Sequence, residues 1–271
     1  MTKLTSKKEK PKKAKPPETK PEEEQPLAEE SVEKPAIIER PPQSHLKALV
    51  YPFNVLVSPL KTFKQMVQYP DIMGLALIIG LLLLSSAVVQ YAAASKIILN
   101  INAQPVSLLE SSYFQSLLIT GMIESVFLFV LNWAIFAGAL LLITTLMGAK
   151  GGSWRLSFIL VGYAFTVFVV RTVITAALVS TLPQLNLSNL SSWPPSTETE
   201  QTYYFNQVNS VWGPSVASQA LQVVNFAVDV WLVILGTIAV RVYREISWSK
   251  AAIIAVTAYL MFFTLRLFLG F

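Results

Sequence analysis

The chain has 271 residues, of which 53% are hydrophobic and 14% are charged, and its mean hydropathy is +0.52. A soluble domain of this composition would expose large apolar patches, so we exclude the soluble classes and expect an integral membrane protein. The absence of cysteine excludes disulfides, thiolate metal sites and cysteine nucleophiles.

Residues 1–44 form a tail of Lys, Glu and Pro, which we expect to be disordered because it has too little apolar surface to offset its ordering entropy. Its ten basic and nine acidic residues nearly cancel, so the net charge of +5 comes mainly from short loops and does not indicate a nucleic-acid partner. The lysines of the tail can contact anionic lipid or an acidic partner. The simpler interpretation is a solvated tail without a binding role. The first 30 residues contain no apolar signal sequence, so we expect the tail to be cytoplasmic.

Residues 45–70 are predicted to be an interfacial amphipathic segment. Pro52 and Pro59 divide it into pieces too short to cross a membrane. Ser58 before Pro59 is typical of a helix start, which predicts a short helix over residues 59–68. The predicted lipid contacts of this segment are Lys61, Phe63 and Lys64.

Residues 71–271 are predicted to be a five-helix transmembrane domain, so the fold class is all-α and polytopic. Each apolar stretch has the roughly 20 residues that cross about 30 Å of hydrocarbon. The predicted spans are 72–94, 117–147, 156–182, 216–240 and 251–271. Ala134 and Gly138 have the small-residue spacing that allows close helix approach, for which we expect an internal contact, with an oligomer interface as the alternative.

The orientation follows from basic residues, which are retained on the cytoplasmic side. They occur before the first span and in the second and fourth connections, whereas the third connection, residues 183–215, has none. We therefore expect a multi-pass cell-membrane protein with a cytoplasmic amino terminus and an extracytoplasmic carboxyl terminus. Further cytoplasmic lipid contacts are expected from Lys150, Arg155, Arg241 and Arg244.

Two glycosylation sequons lie in the third connection, which is predicted to be extracytoplasmic. They begin at Asn186 and Asn189. Modification requires a host that glycosylates its surface proteins, and chance sequons are common, so both interpretations stay open.

Four full charges fall within the predicted spans: Glu124, Arg171, Asp229 and Arg266. Asn132 and Asn225 add polarity, and Asn132 is placed with the four charges in one polar network. At about 1.5 Å per residue from the predicted cytoplasmic ends, the two arginines lie at roughly 22 Å and Asp229 at roughly 16 Å. An ionised side chain at this depth costs about 2.5 to 3.5 kcal/mol, so acids and bases should face each other. We expect Asp229 to pair with one arginine and Glu124 to lie near the other.

This polar network has two interpretations: a cavity for a proton, ion or lipid headgroup, or an ion-pair lock that only fixes helix packing. Signals for an enzyme, a metal or a cofactor are absent. The glycine-rich turn around Lys150 lacks the order of a phosphate loop, and the single histidine, His45, lies at the edge of the tail.

Three segments resemble the Yip1-domain family of five-span membrane proteins. The first is Ser58-Pro59-Leu60-Lys61-Thr62-Phe63; the second is residues 148–154 with Val161-Gly162-Tyr163-Ala164; the third is residues 231–241 with 247–251. The resemblance covers about residues 46–271.

By this resemblance, eukaryotic members act in early secretory traffic at the ER or Golgi, bind prenylated small GTPases and associate with related membrane proteins. Prokaryotic members have no settled activity, and the absence of cysteine with short spans favours a prokaryotic, archaeal source. No GTPase-binding residue is carried over, because the tail has no match. We therefore expect a noncatalytic membrane scaffold that organises membrane lipids or partner proteins. A homo-oligomer and a hetero-oligomer are both compatible with this role. The alternative is a small transporter or channel that uses the charges within the spans.

Overall fold

The computed structural model describes residues 46–101, 104–111, 113–149, 153–188 and 195–269. The predicted tail, residues 1–44, lies outside these ranges, as do His45, Lys150 and Asn189. The described ranges form nine α-helices and three short strands. The helices are α1 Leu46–Val57, α2 Pro59–Gln68, α3 Met73–Ala94, α4 Tyr113–Leu146, α5 Trp154–Ala164, α6 Thr166–Ser180, α7 Glu198–Val211, α8 Val216–Arg244 and α9 Trp248–Leu269. The strands are β1 Ile97–Ile101, β2 Gln104–Ser107 and β3 Leu185–Leu187.

Five helical segments are long and apolar enough to cross a membrane, which confirms the predicted polytopic all-α fold. They are Met73–Ala94, Tyr113–Leu146, Trp154–Ser180, Val216–Arg244 and Trp248–Phe268. The 34 residues of α4 extend about 51 Å, which exceeds the roughly 30 Å of hydrocarbon. One end of α4 must therefore project beyond the bilayer or the helix must tilt.

The third span is interrupted at Phe165, although its sequence predicts one continuous helix. The backbone N–H of Phe168 donates to the carbonyl of Phe165 three residues earlier, at 3.0 Å, instead of four residues earlier. The hydroxyl of Thr166 donates to the carbonyl of Tyr163 at 2.7 Å. Such tightening and side-chain bonding to the helix backbone bend helices, so the span is divided into α5 and α6.

Helices α1 and α2 pack against one end of the bundle, on α3 and α8. Helix α2 occupies the predicted range and has Pro59 at its first turn, but the Ser58 side chain makes no capping bond. Instead, the Ser58 carbonyl accepts a bond from the Thr62 hydroxyl at 2.9 Å. Phe63 and Met66 are fully buried on the inner face of α2. We name this end of the molecule the α1–α2 face.

The core of the bundle is aromatic. The rings of Phe165 and Phe262 lie 5.9 and 5.6 Å from that of Phe136, and all three are buried. Gly162 lets α5 approach closely, because a Cβ there would lie 2.7 Å from Leu75 Cδ2 and 3.1 Å from the Trp133 ring. Packing of this kind holds helices together in lipid, where burial of apolar surface gives no driving force.

The expected internal contact of Ala134 and Gly138 is not formed. Ala134 is exposed, and a Cβ on Gly138 would have no neighbour within 4 Å. The aromatic side chains of α4 make the helix contacts instead.

At the opposite end of α3, the first and third connections fold together into a small cap, which the sequence analysis did not predict. Strand β1 pairs antiparallel with β2 and parallel with β3, where Leu99 lies opposite Leu187. Helix α7 begins with a reciprocal capping box between Thr197 and Glu200 and packs on β3. We name this end the sheet face.

Candidate functional site

A cavity of about 160 Å³ lies within the bundle, next to the break at Phe165. Helices α3, α4, α6 and α9 all contribute to its wall. The lining residues are Leu82, Ser86, Ser125, Leu128, Phe129, Asn132, Phe165, Phe168, Arg171, Thr172 and Arg266. The cavity lining therefore combines apolar side chains with polar ones, which include two arginines.

Two arginines and one aspartate meet beside this cavity. The guanidinium of Arg171 is repelled by that of Arg266 and attracted by the carboxylate of Asp229. It also lies over the Phe168 ring, with Cζ 5.0 Å from the ring centroid. The hydroxyl of Tyr259 donates a hydrogen bond to Asp229. The group thus carries two positive charges and one negative charge.

Three neutral polar side chains of the cavity donate hydrogen bonds to the helix backbone. Asn132 Nδ2 donates to the Leu128 carbonyl at 2.6 Å, and the Thr172 hydroxyl donates to the Phe168 carbonyl at 2.8 Å. The Ser125 hydroxyl lies 2.7 Å from the Gly121 carbonyl and from the Ser86 hydroxyl. Asn132 Oδ1 is buried and has no hydrogen-bond partner. These groups still offer the cavity their acceptor oxygens and the second N–H of Asn132 Nδ2.

Glu124 lies apart from this group. It is exposed and is not among the residues that line the cavity. Counted from Leu146 at the α1–α2 face, it lies about 33 Å along α4, beyond the roughly 30 Å of hydrocarbon. If α4 stands upright with Leu146 at the edge of the hydrocarbon, this exposed carboxylate reaches the headgroups and needs no basic partner inside the bundle.

A second concave site of about 610 Å³ lies at the α1–α2 face, between α2 and the turn from α8 to α9. Lys64, Arg241, Glu245 and Trp248 contribute its polar and aromatic wall. The Arg241 guanidinium lies 4.3 Å from the Trp248 ring centroid and donates to the Ile246 carbonyl at 2.9 Å. Glu245 has a left-handed backbone, with φ of 53°, which lets the chain turn sharply from α8 into α9. We name this site the basic groove.

The other predicted lipid contacts at this face differ in their exposure. Lys61 and Arg155 are exposed, whereas Arg244 is half-buried and donates to the Ala149 carbonyl at 3.4 Å. Phe63 is fully buried, so its ring packs inside the protein and cannot contact lipid as the sequence suggested. Lys150 lies outside the described residues.

The family model of the Yip1 domain matches residues 53–269 of this chain. The chain belongs to the Yip1 family. No curated protein and no solved structure gives a significant match. The matched range contains the cavity, the basic groove and the sheet-face cap, so all three are parts of this Yip1 domain.

The motifs that resemble the Yip1 domain have structural roles in it. Ser58 to Phe63 start α2, and Val161 to Ala164 end α5, where the Tyr163 hydroxyl donates to the Asp71 carbonyl at 3.3 Å. Gly74 leaves room for the Tyr163 ring, since any Cβ there would collide with it. The motif thus joins the third span to the start of the first.

Tyr259 was not among the site residues predicted from the sequence. Its spacing of seven residues from Arg266, which places both on one face of α9, is the signal that could have indicated it. Asn186 lies in β3, where its side chain is exposed and its sequon partner Ser188 lies 3.4 Å from the Tyr203 hydroxyl. Glycosylation of Asn186 stays a prediction.

Proposed function

We propose that this multi-pass Yip1-family protein is a noncatalytic membrane scaffold that gathers anionic lipids at its α1–α2 face. The observation that carries the proposal is the basic groove together with the amphipathic helix α2 beside it. We place this face in the cytoplasm, because the basic residues that set the orientation lie on it.

The charge at this face suits an anionic membrane surface. Among the residues whose side chains the structure describes, six basic residues lie at this face, together with the acidic Asp71 and Glu245. The basic residues are Lys61, Lys64, Arg155, Arg241, Arg244 and Lys250. Each contributes about 1 kcal/mol near an anionic leaflet, and the salt of the cytosol limits this attraction to about 8 Å.

The position of α2 strengthens this attraction. Phe63 and Met66 fix the helix to the bundle, while Lys61 and Lys64 are exposed on its other side. The lysines are therefore held at headgroup level without the entropy cost that a free amphipathic helix would have on binding. Partner membrane proteins, and small GTPases by resemblance to the family, would be recruited to the same face.

The test is the lipid composition around the full-length protein, extracted in polymer nanodiscs and measured by lipid mass spectrometry. Replacement of Lys61 and Lys64 by Gln removes about 2 kcal/mol, which predicts a fall of up to about 30-fold in the affinity of this face for anionic lipid. Lys96 at the sheet face provides the control, and Lys96→Gln should leave the enrichment of anionic lipid around the protein unchanged. Unchanged enrichment in the Lys61 and Lys64 variant would refute the proposal.

The intramembrane cavity favours a second candidate, a small transporter. In that case Asp229→Asn should abolish a proton- or ion-dependent flux in proteoliposomes while the protein stays folded. A structural lock instead predicts a lower resistance to unfolding and no flux in either protein. Measurement of both quantities on the same preparations separates the two.

A further inference from the structure

The turn from α8 into α9 carries an acidic residue where the local rules of folding disfavour one. Glu245 directly follows the last residue of α8, and its backbone is left-handed, with φ of 53° and ψ of 33°. A residue with a Cβ is strained in this conformation, so glycine or asparagine is usual there. The negative end of the helix dipole also lies at this point and repels a carboxylate. Folding alone therefore does not account for the glutamate, and strained residues of this kind cluster at functional sites.

Glu245 lies where a ligand can reach it. Its side chain is exposed and lines the basic groove together with Lys64 and Arg241. The Arg241 guanidinium donates to the Ile246 carbonyl and lies over the Trp248 ring, so contacts other than Glu245 position it. Three of the described residues that line the groove are charged, and they present two positive charges and one negative charge to a single ligand.

This charge pattern narrows the class of ligand. Guanidinium and ammonium groups bind the oxygens of phosphate and carboxylate, whereas a carboxylate accepts hydrogen bonds from an ammonium group. A headgroup with a phosphate, a carboxylate and a primary ammonium, as in phosphatidylserine, complements all three side chains. A headgroup that carries only anionic groups leaves Glu245 facing like charge, and a quaternary ammonium offers it no N–H donor.

The position and the size of the groove suit a lipid. Leu60, Val67 and Trp248 give it an apolar wall, and Trp248 is exposed at the end of a span, the level at which tryptophan meets headgroups. At about 30 Å³ for each water-sized group, 610 Å³ holds roughly twenty non-hydrogen atoms, and a glycerophosphoserine group has about 16. The groove can therefore hold a whole headgroup with its glycerol.

We propose that the basic groove selects anionic lipids whose headgroup carries a primary ammonium. Lys64 and Arg241 bind the phosphate and the carboxylate of the lipid, and Glu245 binds its ammonium. This inference rests on the proposed enrichment of anionic lipids at the α1–α2 face and adds a preference among them. The two are separable, because charge draws every anionic lipid to the face, whereas Glu245 distinguishes those with an ammonium.

The test uses the delipidated full-length protein and native mass spectrometry, which measures the lipids retained from an equimolar mixture of four dioleoyl lipids. Phosphatidylserine has a net negative charge and a primary ammonium, and phosphatidylglycerol has the charge alone. Phosphatidylethanolamine has a primary ammonium without net charge, and phosphatidylcholine has neither. The wild type should retain phosphatidylserine about two- to fivefold more than phosphatidylglycerol, as expected for one exposed ion pair, and should favour phosphatidylethanolamine over phosphatidylcholine.

The mixture separates the two proposals. Equal retention of phosphatidylserine and phosphatidylglycerol, both above phosphatidylcholine, would overturn the inference and leave the proposed function standing. Retention of neither anionic lipid above phosphatidylcholine would overturn both.

Two variants at position 245 separate the carboxylate from the backbone. Glu245→Gln removes the charge and keeps the left-handed strain, whereas Glu245→Gly removes both. In each variant the ratio of retained phosphatidylserine to phosphatidylglycerol should fall to roughly one. Glu110, which is exposed in the short turn after β2 at the sheet face, provides the control, and Glu110→Gln should leave the ratio unchanged. A wild-type ratio in Glu245→Gln would overturn the assignment of Glu245.

Unfolding in mixed micelles tests the argument from strain. Because glycine has no Cβ and brings no charge to the end of α8, Glu245→Gly should unfold at the same fraction of denaturing detergent as the wild type or at a higher one. A retained fold with lost selectivity is the result expected for a glutamate that serves a ligand. A marked loss of resistance to unfolding in both variants would show that the carboxylate serves folding, and would overturn the proposal.

Discussion

Substitution of Gly162 by Ala should destabilise the bundle because it inserts a methyl group into the closest approach of α5 to its neighbours. The new Cβ would lie 2.7 Å from Leu75 Cδ2 and 3.1 Å from the Trp133 ring. Leu75 is buried, so its side chain has little room to move away. Overpacking of this kind costs about 1–3 kcal/mol.

The same substitution also raises helix propensity by about 0.8–1.0 kcal/mol, which would hide part of the cost. Gly80→Ala provides the matched control, because Gly80 is in α3 and has nothing within 4 Å of an added Cβ. Both variants gain the propensity term. The difference between them isolates the clash at about 1–3 kcal/mol, a factor of about 5 to 150 in the unfolding equilibrium.

The assay is reversible unfolding in mixed micelles, followed by near-ultraviolet circular dichroism as the fraction of denaturing detergent rises. Trp133 lies beside Gly162, so its fluorescence should also change in Gly162→Ala and not in Gly80→Ala. The packing argument fails if Gly162→Ala proves as stable as Gly80→Ala.

Three further outcomes follow from single contacts. Trp133→Phe removes the donor to the Phe158 carbonyl at 2.8 Å and should cost about 0.6–1.5 kcal/mol in the same unfolding assay. Thr197→Ala removes half of the capping box with Glu200 and should cost α7 about 1 kcal/mol, visible as faster amide exchange confined to the cap. Burial raises the pKa of Tyr204, so its stabilising contribution is complete below the ordinary tyrosine pKa of about 10 and is lost as pH rises through the higher folded value. Tyr204→Phe should therefore remove a step of alkaline cap loosening that tyrosinate absorbance detects in the wild type.

The sequence predicts the spans and α2 well because the physical constraint on them is strong. A bilayer accepts only long apolar helices, and Pro59 can occupy the first turn of a helix but not its interior. The predicted third span missed its break, because the bonds of Thr166 and Phe168 that bend it are available to many helical threonines that do not bend.

The sheet-face cap could not be found in the same way. Strands β1 and β3 have five and three residues and are separated by two spans, so their pairing depends on contacts that no local pattern reveals. One signal was present: Thr197 followed by Glu200 is the pattern of a capping box and marks the start of α7. For the cavity, the sequence supplied the charged residues but could not show that Glu124 is exposed and lies outside the cavity lining.

The carboxylate of Asp229 connects three helices of the bundle. Asp229 on α8 attracts Arg171 on α6 and accepts a hydrogen bond from Tyr259 on α9. Because each of these contacts crosses between helices inside the membrane, Asp229→Asn should weaken the bundle and unfold at a lower fraction of denaturing detergent than the wild type. Equal resistance to unfolding in the two proteins would show that these contacts do not hold the three helices together.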